Sequence, residues 1–162
     1  MRITDPKINN PILQMIGEEA DRLGLECYVI GGWVRDLFLH RSSTDIDVVV
    51  LRKSNCDNPI EHDTLTPQSE QKRSGLGIDL AEAVAKRIGK GAHLSVFKTY
   101  GTAQVKKGEL ELEFVGARKE SYQHDSRNPI VEDGTLQEDQ DRRDFTINAM
   151  AFSLQQEDFG AL

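Results

Sequence analysis

The chain has 162 residues, 38% of them hydrophobic and 29% charged. That is the size and make-up of one globular domain with a substantial core, and no apolar run approaches the roughly 20 residues that span a bilayer. A net charge of −7 argues against a dedicated nucleic-acid-binding module, which is normally basic, so any grip on RNA is local or lies on another part of the protein. The opening MRITDPKINN lacks the apolar centre of a signal peptide, which makes the cytoplasm the expected compartment. Cys27 and Cys56 have no CxxC partner and His40, His62, His93 and His124 are scattered, so neither a zinc site nor a disulfide framework is expected.

In chain order, Asn10-Pro11 reads as an N-cap followed by proline at the first helical position. Ile12, Leu13, Ile16, Ala20 and Leu23 then recur at helical spacing before Gly24, predicting an amphipathic helix. Residues 25–30 read as a buried strand, Gly31-Gly32 as a turn, and 34–40 as a short helix with Leu37 and Leu39 available for packing. A second strand over 45–51 turns Ile46, Val48 and Val50 to one face and Asp45, Asp47 and Val49 to the other. Residues 52–75 are polar and aperiodic and read as an insertion loop.

Helical spacing returns over 78–88, ended by Gly89. Strand character follows over 93–102 and 103–105, with a turn at Lys107-Gly108 and a returning strand over 109–117. There Leu110, Leu112 and Phe114 alternate with Glu109, Glu111 and Glu113. Residues 121–139 read as another polar loop, and a last helix is expected from about 141 to 152, with Phe145, Ala149 and Phe152 on one side. The order predicts one α/β domain with a mixed sheet flanked by helices. The residues after Phe152 suggest a chain cut short.

Four groups of residues suit chemistry. Gly31-Gly32 before a helix would let phosphate approach the backbone, with Arg35 one turn on, although such a pair alone more often marks an ordinary turn. Asp45 and Asp47 project from one strand face and would repel each other unless a divalent cation joins them; a solvated strand end is the alternative. Two-metal phosphoryl transfer commonly wants a further carboxylate on a neighbouring strand, and periodicity does not choose among Glu109, Glu111 and Glu113. Arg142, Arg143 and Asp144 could hold phosphate and ribose, with Asn148 four residues past Asp144 on the same helix face, or could form a solvated surface.

GGWVRD at 31–36, DIDVVV at 45–50 and RRDFTINAMAF at 142–152 together resemble the head domain of class II tRNA nucleotidyltransferases (CCA-adding enzymes) and bacterial poly(A) polymerases. YGTAQV at 100–105 and LEFVGAR at 112–118 are similar as well. The resemblance implies a polymerase-β-like nucleotidyltransferase palm in which Asp45 and Asp47 bind two Mg²⁺ ions and Glu113 is the further acidic residue. Gly31, Gly32 and Arg35 would contact the triphosphate, and Asp36 would order the turn. Arg143 and Asp144 would engage the nucleotide phosphate and ribose, supported by Arg142 and Asn148.

The reaction so implied is transfer of a nucleotide from CTP or ATP to an RNA 3′-hydroxyl, with pyrophosphate released. CCA addition to tRNA is the leading expectation and poly(A) addition the alternative; a non-catalytic nucleotide-binding module is the alternative of another class. No EDxxR-type neck motif follows the head. The expectation is therefore a head domain truncated at its C-terminus, without neck, body and tail and with weak or no activity alone.

Overall fold

The computed structural model describes residues 1–53, 75–121 and 130–162. Helix α1 (Pro11–Leu23) begins where the Asn10 side chain accepts a hydrogen bond from the Ile12 N–H and ends at Gly24, whose φ of 68° is the left-handed cap. Strand β1 (Leu25–Ile30) leads through Gly31 into α2 (Gly32–Phe38) and then β2 (Asp45–Arg52). Next come α3 (Leu76–Ile88), β3 (Ala92–Phe97), β4 (Thr102–Lys107) and β5 (Leu110–Gly116). A separate ribbon of β6 (Arg118–Ser121) and β7 (Ile130–Asp133) precedes α4 (Leu136–Asp141), a 3-10 turn (Thr146–Asn148) and β8 (Ala151–Ser153).

The main sheet has the order β3-β4-β5-β2-β1-β8. Its β2–β5 pairing is parallel and the others are antiparallel, so it is mixed, as expected. One face carries the main core. Ile46, Val48, Val50, Leu112, Phe114 and Phe152 pack there with Leu13 and Ile16 of α1 and Leu80 and Val84 of α3. Among the described residues, the opposite face holds a smaller cluster of Ile30, Val49, Ala117 and Ala151, with Leu136 packed against it. Asp45 and Asp47 belong to that thinly covered face.

The last predicted helix is corrected. A capping box, with Glu138 N–H donating to Thr135 Oγ1 and Thr135 N–H to a Glu138 carboxylate oxygen, starts α4 within the stretch read as a polar loop. That helix ends at Asp141, and residues 151–153 pair with β1, setting Ala151 opposite Ile30. The sequence period was coincidental: Phe152 is buried against Trp33 at 5.9 Å between ring centroids, whereas Phe145 is 66% exposed. Three smaller differences follow from glycine geometry and exposure. The 93–102 segment is broken by a turn that includes Gly101 at φ 64°, α2 starts at Gly32, and Leu39 is exposed. Most of the expected 52–75 insertion (54–74) and part of the later loop (122–129) lie outside the described residues.

Helix α1 sits in backbone contact with the chain after β8. A Cβ added at Gly17 would lie 1.8 Å from the Leu154 carbonyl oxygen. Alanine there gains about 1 kcal/mol in helix propensity, but overpacking against backbone costs about 1–3 kcal/mol and should reach the upper end at so short a separation. We predict that Gly17→Ala lowers unfolding free energy by about 2 kcal/mol in a denaturant titration.

Buried Glu19 ties α1 to α3 by accepting from Arg22 Nε and Nη2 at 3.0 and 2.6 Å and from Arg87 Nη1 at 3.2 Å. The Arg22 hydrogen bond, against the opposing effect of burial, holds its carboxyl below the usual range. A depressed folded-state value gives stability above the ordinary carboxylate range that is lost as pH falls through the folded value. Glu19→Gln should therefore lower the melting temperature at pH 7 by roughly 2 °C, and the difference should shrink as pH falls below the ordinary carboxylate range.

Candidate active site

The site forms where β1 ends and β2 begins. Parallel pairing sets Glu111 beside Asp45 and Glu113 beside Asp47, while antiparallel pairing sets Ile30 opposite Asp47. The residue after Ile30 therefore arrives at the carboxylates. Gly31 adopts φ 85°, ψ −138°, a region that side-chain-bearing residues reach only with strain. A Cβ on it would stand 3.4 Å from Asp47 Oδ2, 3.5 Å from Arg143 Nη1 and 3.8 Å from the Asn148 carbonyl oxygen. Two distant parts of the chain, β2 and residues 143–148, thus converge on one glycine.

Gly31 also caps α2 without a side-chain hydrogen bond, and its own N–H donates to the Met150 carbonyl at 3.2 Å. Arg35, one turn into α2, places Nε and Nη2 each 2.9 Å from Asp36 Oδ1 and donates from Nη1 to Asn148 Oδ1 at 3.1 Å. Asp36 thus orders Arg35. Asn148 comes into this group through the 3-10 turn and not along the predicted helix face, and Asp144 lies exposed in the bend before that turn.

Sequence reasoning missed Asp139, which it left in a polar loop. The residue is buried, with its side chain 0% exposed. Asp139 Oδ1 accepts from Arg142 Nε at 3.0 Å and Nη2 at 2.7 Å, and Oδ2 accepts from Arg143 Nε at 3.3 Å and Nη2 at 3.0 Å. A signal was present: an acid three and four residues before two arginines, just after a Thr-x-x-Glu capping box.

The three candidate glutamates separate by register. Glu109 lies exposed in the hairpin turn. Glu111 pairs with Lys106 Nζ at 3.2 Å and accepts from Gln104. Glu113 lines an open cleft of about 400 Å³ with Phe97, Tyr100, Thr102, Val115 and Arg142.

Burial holds the Asp47 carboxyl above its usual range, opposed by the Arg143 charge and reinforced by Asp45. A divalent cation would relieve this cost. The two carboxylates of Asp45 and Asp47, on one strand face, are a donor set that fits Mg²⁺, which commonly takes one or two carboxylates and completes its shell with water and substrate phosphate. Three guanidiniums nearby would favour an anionic ligand.

For an acid raised in the folded state, ionisation opposes folding above the folded value, and the penalty shrinks as pH falls through that value and is gone below the ordinary carboxylate value. Without divalent ions, Asp47→Asn should therefore raise the melting temperature at pH 7 by about 1–3 °C. Paired thermal melts should show the gain shrinking toward pH 3.5.

Same-face aspartates, a glycine turn and a clamped arginine pair thus meet at one end of a mixed sheet in an α/β domain. Residues 27–160 match the Poly A polymerase head domain, and the chain belongs to that family. It is 40% identical over 138 residues to the A-adding tRNA nucleotidyltransferase of Aquifex aeolicus, covering 85% of this chain and 14% of that protein. It is 34% identical to the Geobacter sulfurreducens protein of the same name, covering 97% and 15%. A solved tRNA nucleotidyltransferase complexed with a primer tRNA and an incoming ATP analog superposes with TM-score 0.65 at 37% identity, over 91% of this chain and 33% of that one. The chain thus spans a third or less of these relatives. Among the described residues no helix is long and apolar enough to cross a membrane.

Proposed function

We propose that this chain carries the chemical centre for metal-dependent transfer of a nucleotide from CTP or ATP to the 3′-hydroxyl of tRNA, releasing pyrophosphate. The observation that carries this reading is the convergence of Asp47, Arg143 and Asn148 around Gly31. The names of the Aquifex and Geobacter relatives, and the primer tRNA and ATP analog in the solved complex, support tRNA as acceptor and ATP as one donor.

Asp45 and Asp47 would hold Mg²⁺, which when bound supplies neutralising charge for the phosphates and favours deprotonation of the attacking hydroxyl. The chain's own residues do the positioning. Gly31 lets the triphosphate approach the backbone with no Cβ in the way. Arg143 Nη1, and Arg35 held by Asn148 and Asp36, balance the charge that accumulates on the departing pyrophosphate. Displacement in line requires the acceptor opposite that leaving group. With the triphosphate on the β1–α2 side of Asp47, the RNA end enters from the β5–β4 side, where the cleft beside Glu113 opens.

Asp144 at the ribose and Gly32 at the phosphates complete this assignment by family resemblance. Base choice and most of the RNA grip are assigned to regions outside these 162 residues, which leaves the isolated head weakly active. Poly(A) addition is the second reading, favoured by the family's description.

The test supplies Mg²⁺, each nucleotide separately, and tRNA ending before, within or after CCA. It is run on the chain alone and on the chain continued through a downstream region. Growth that stops at CCA or at a terminal A supports the first reading, and a long adenylate tail supports the second. Triphosphate binding without transfer by the longer chain would leave a nucleotide-binding module. Asp45→Ala and Asp47→Ala should each reduce transfer by about 10³-fold or more with an unchanged circular dichroism spectrum.

A further inference from the structure

We propose that Asp139 is a positioning residue that serves both halves of the site at once, fixing Arg143 for the triphosphate and Arg142 for the RNA acceptor; this rests on the function proposed above. Each guanidinium spends the same two nitrogens, Nε and Nη2, on one oxygen of Asp139. Because a guanidinium is planar and rigid, fixing that edge fixes the direction of the remaining nitrogen, Nη1. For Arg143 this is the atom 3.5 Å from the Cβ position at Gly31, on the same side as Asp47 Oδ2 at 3.4 Å. Arg142 instead lies in the wall of the cleft that contains Glu113, Phe97 and Tyr100. One buried carboxylate therefore aims two cations at two neighbouring ligand positions.

A local helix staple would account for the ion pairs but not for this division. Asp139 is fully shielded, whereas the Arg142 and Arg143 side chains remain 34% and 20% exposed. The shared anchor is dry and the two outer ends reach solvent, the arrangement expected of groups held ready for a ligand. Arg143 thus presents Nη1 on the side of Asp47 while its Nε and Nη2 stay engaged by Asp139.

The experiment is a double-mutant cycle read by binding of a fluorescent ATP analogue with Mg²⁺, using Asp139→Asn, Arg143→Ala and the double variant. Asp139→Asn keeps the shape but removes the charge, and should weaken triphosphate binding about 10- to 100-fold. The double variant should bind no more weakly than Arg143→Ala alone, because the two residues act as one unit. Additive losses, or unchanged affinity in a folded Asp139→Asn protein, would overturn the proposal. Should the amide prevent folding, Asp139→Glu decides: affinity reduced about tenfold or more with a near-normal melting temperature supports it, and normal affinity overturns it. On the acceptor side, Asp139→Asn should raise the KM for tRNA in the longer chain, and should add nothing to Arg142→Ala. If the unmodified chain takes up no triphosphate, the proposed function fails and this inference fails with it; uptake that is insensitive to Asp139 sinks only the inference.

Discussion

Gly31 is held at φ 85°, ψ −138° by its position in the sheet. Its neighbour Ile30 is locked between Asp47 on β2 and Ala151 on β8, and its own N–H is bonded to Met150. The chain must leave β1 and start a helix at once while passing within contact distance of an aspartate and an arginine. Glycine reaches that positive φ at low cost, while a Cβ there would meet its neighbours only at van der Waals distance. The remaining parts of the site are placed by this crossing. Strand β2 delivers the aspartates to it, the last strand and its preceding turn deliver Asn148, and α4 delivers Arg143.

Charge in the site is arranged by fixed partners. The chain is acidic overall, yet three arginines gather where two aspartates already repel. Arg35 is held by Asp36 and Asn148, and the other two by Asp139. Such clamped cations lose little freedom when a ligand arrives. Burial and the neighbouring Asp45 make Asp47 a reluctant anion, an effect that the Arg143 charge opposes.

Local signals read well from sequence because they act over a few residues. Asn10, Pro11 and Gly24 bound α1 as read, and the alternation of β2 put Asp45 and Asp47 on the face opposite Ile46, Val48 and Val50. The failures were long-range. Pairing of residues 151–153 with β1 across the chain overrode a chance helical spacing of Phe145, Ala149 and Phe152. Glu113 could be separated from Glu111 only through the register of β5 against β2 and β4. Asp139 stayed hidden because a surface loop and a buried anchor can share the same polar composition, and only the capping box distinguished them. The family resemblance reached the right elements, but the way they meet depends on sheet order.

The closing strand also gathers the first and last residues. The Ile3 N–H donates to the Gly160 carbonyl at 2.8 Å, the Leu162 N–H donates to the Met1 carbonyl at 2.8 Å, and Arg2 bridges Ala161. The first and last residues therefore lie side by side. A short peptide joining them could close the backbone into a ring without disturbing the sheet, and new ends could be opened at an exposed turn such as Gly108-Glu109. Any element attached at either end would emerge from the same corner, so its placement over the active face would be set by the direction of that one exit.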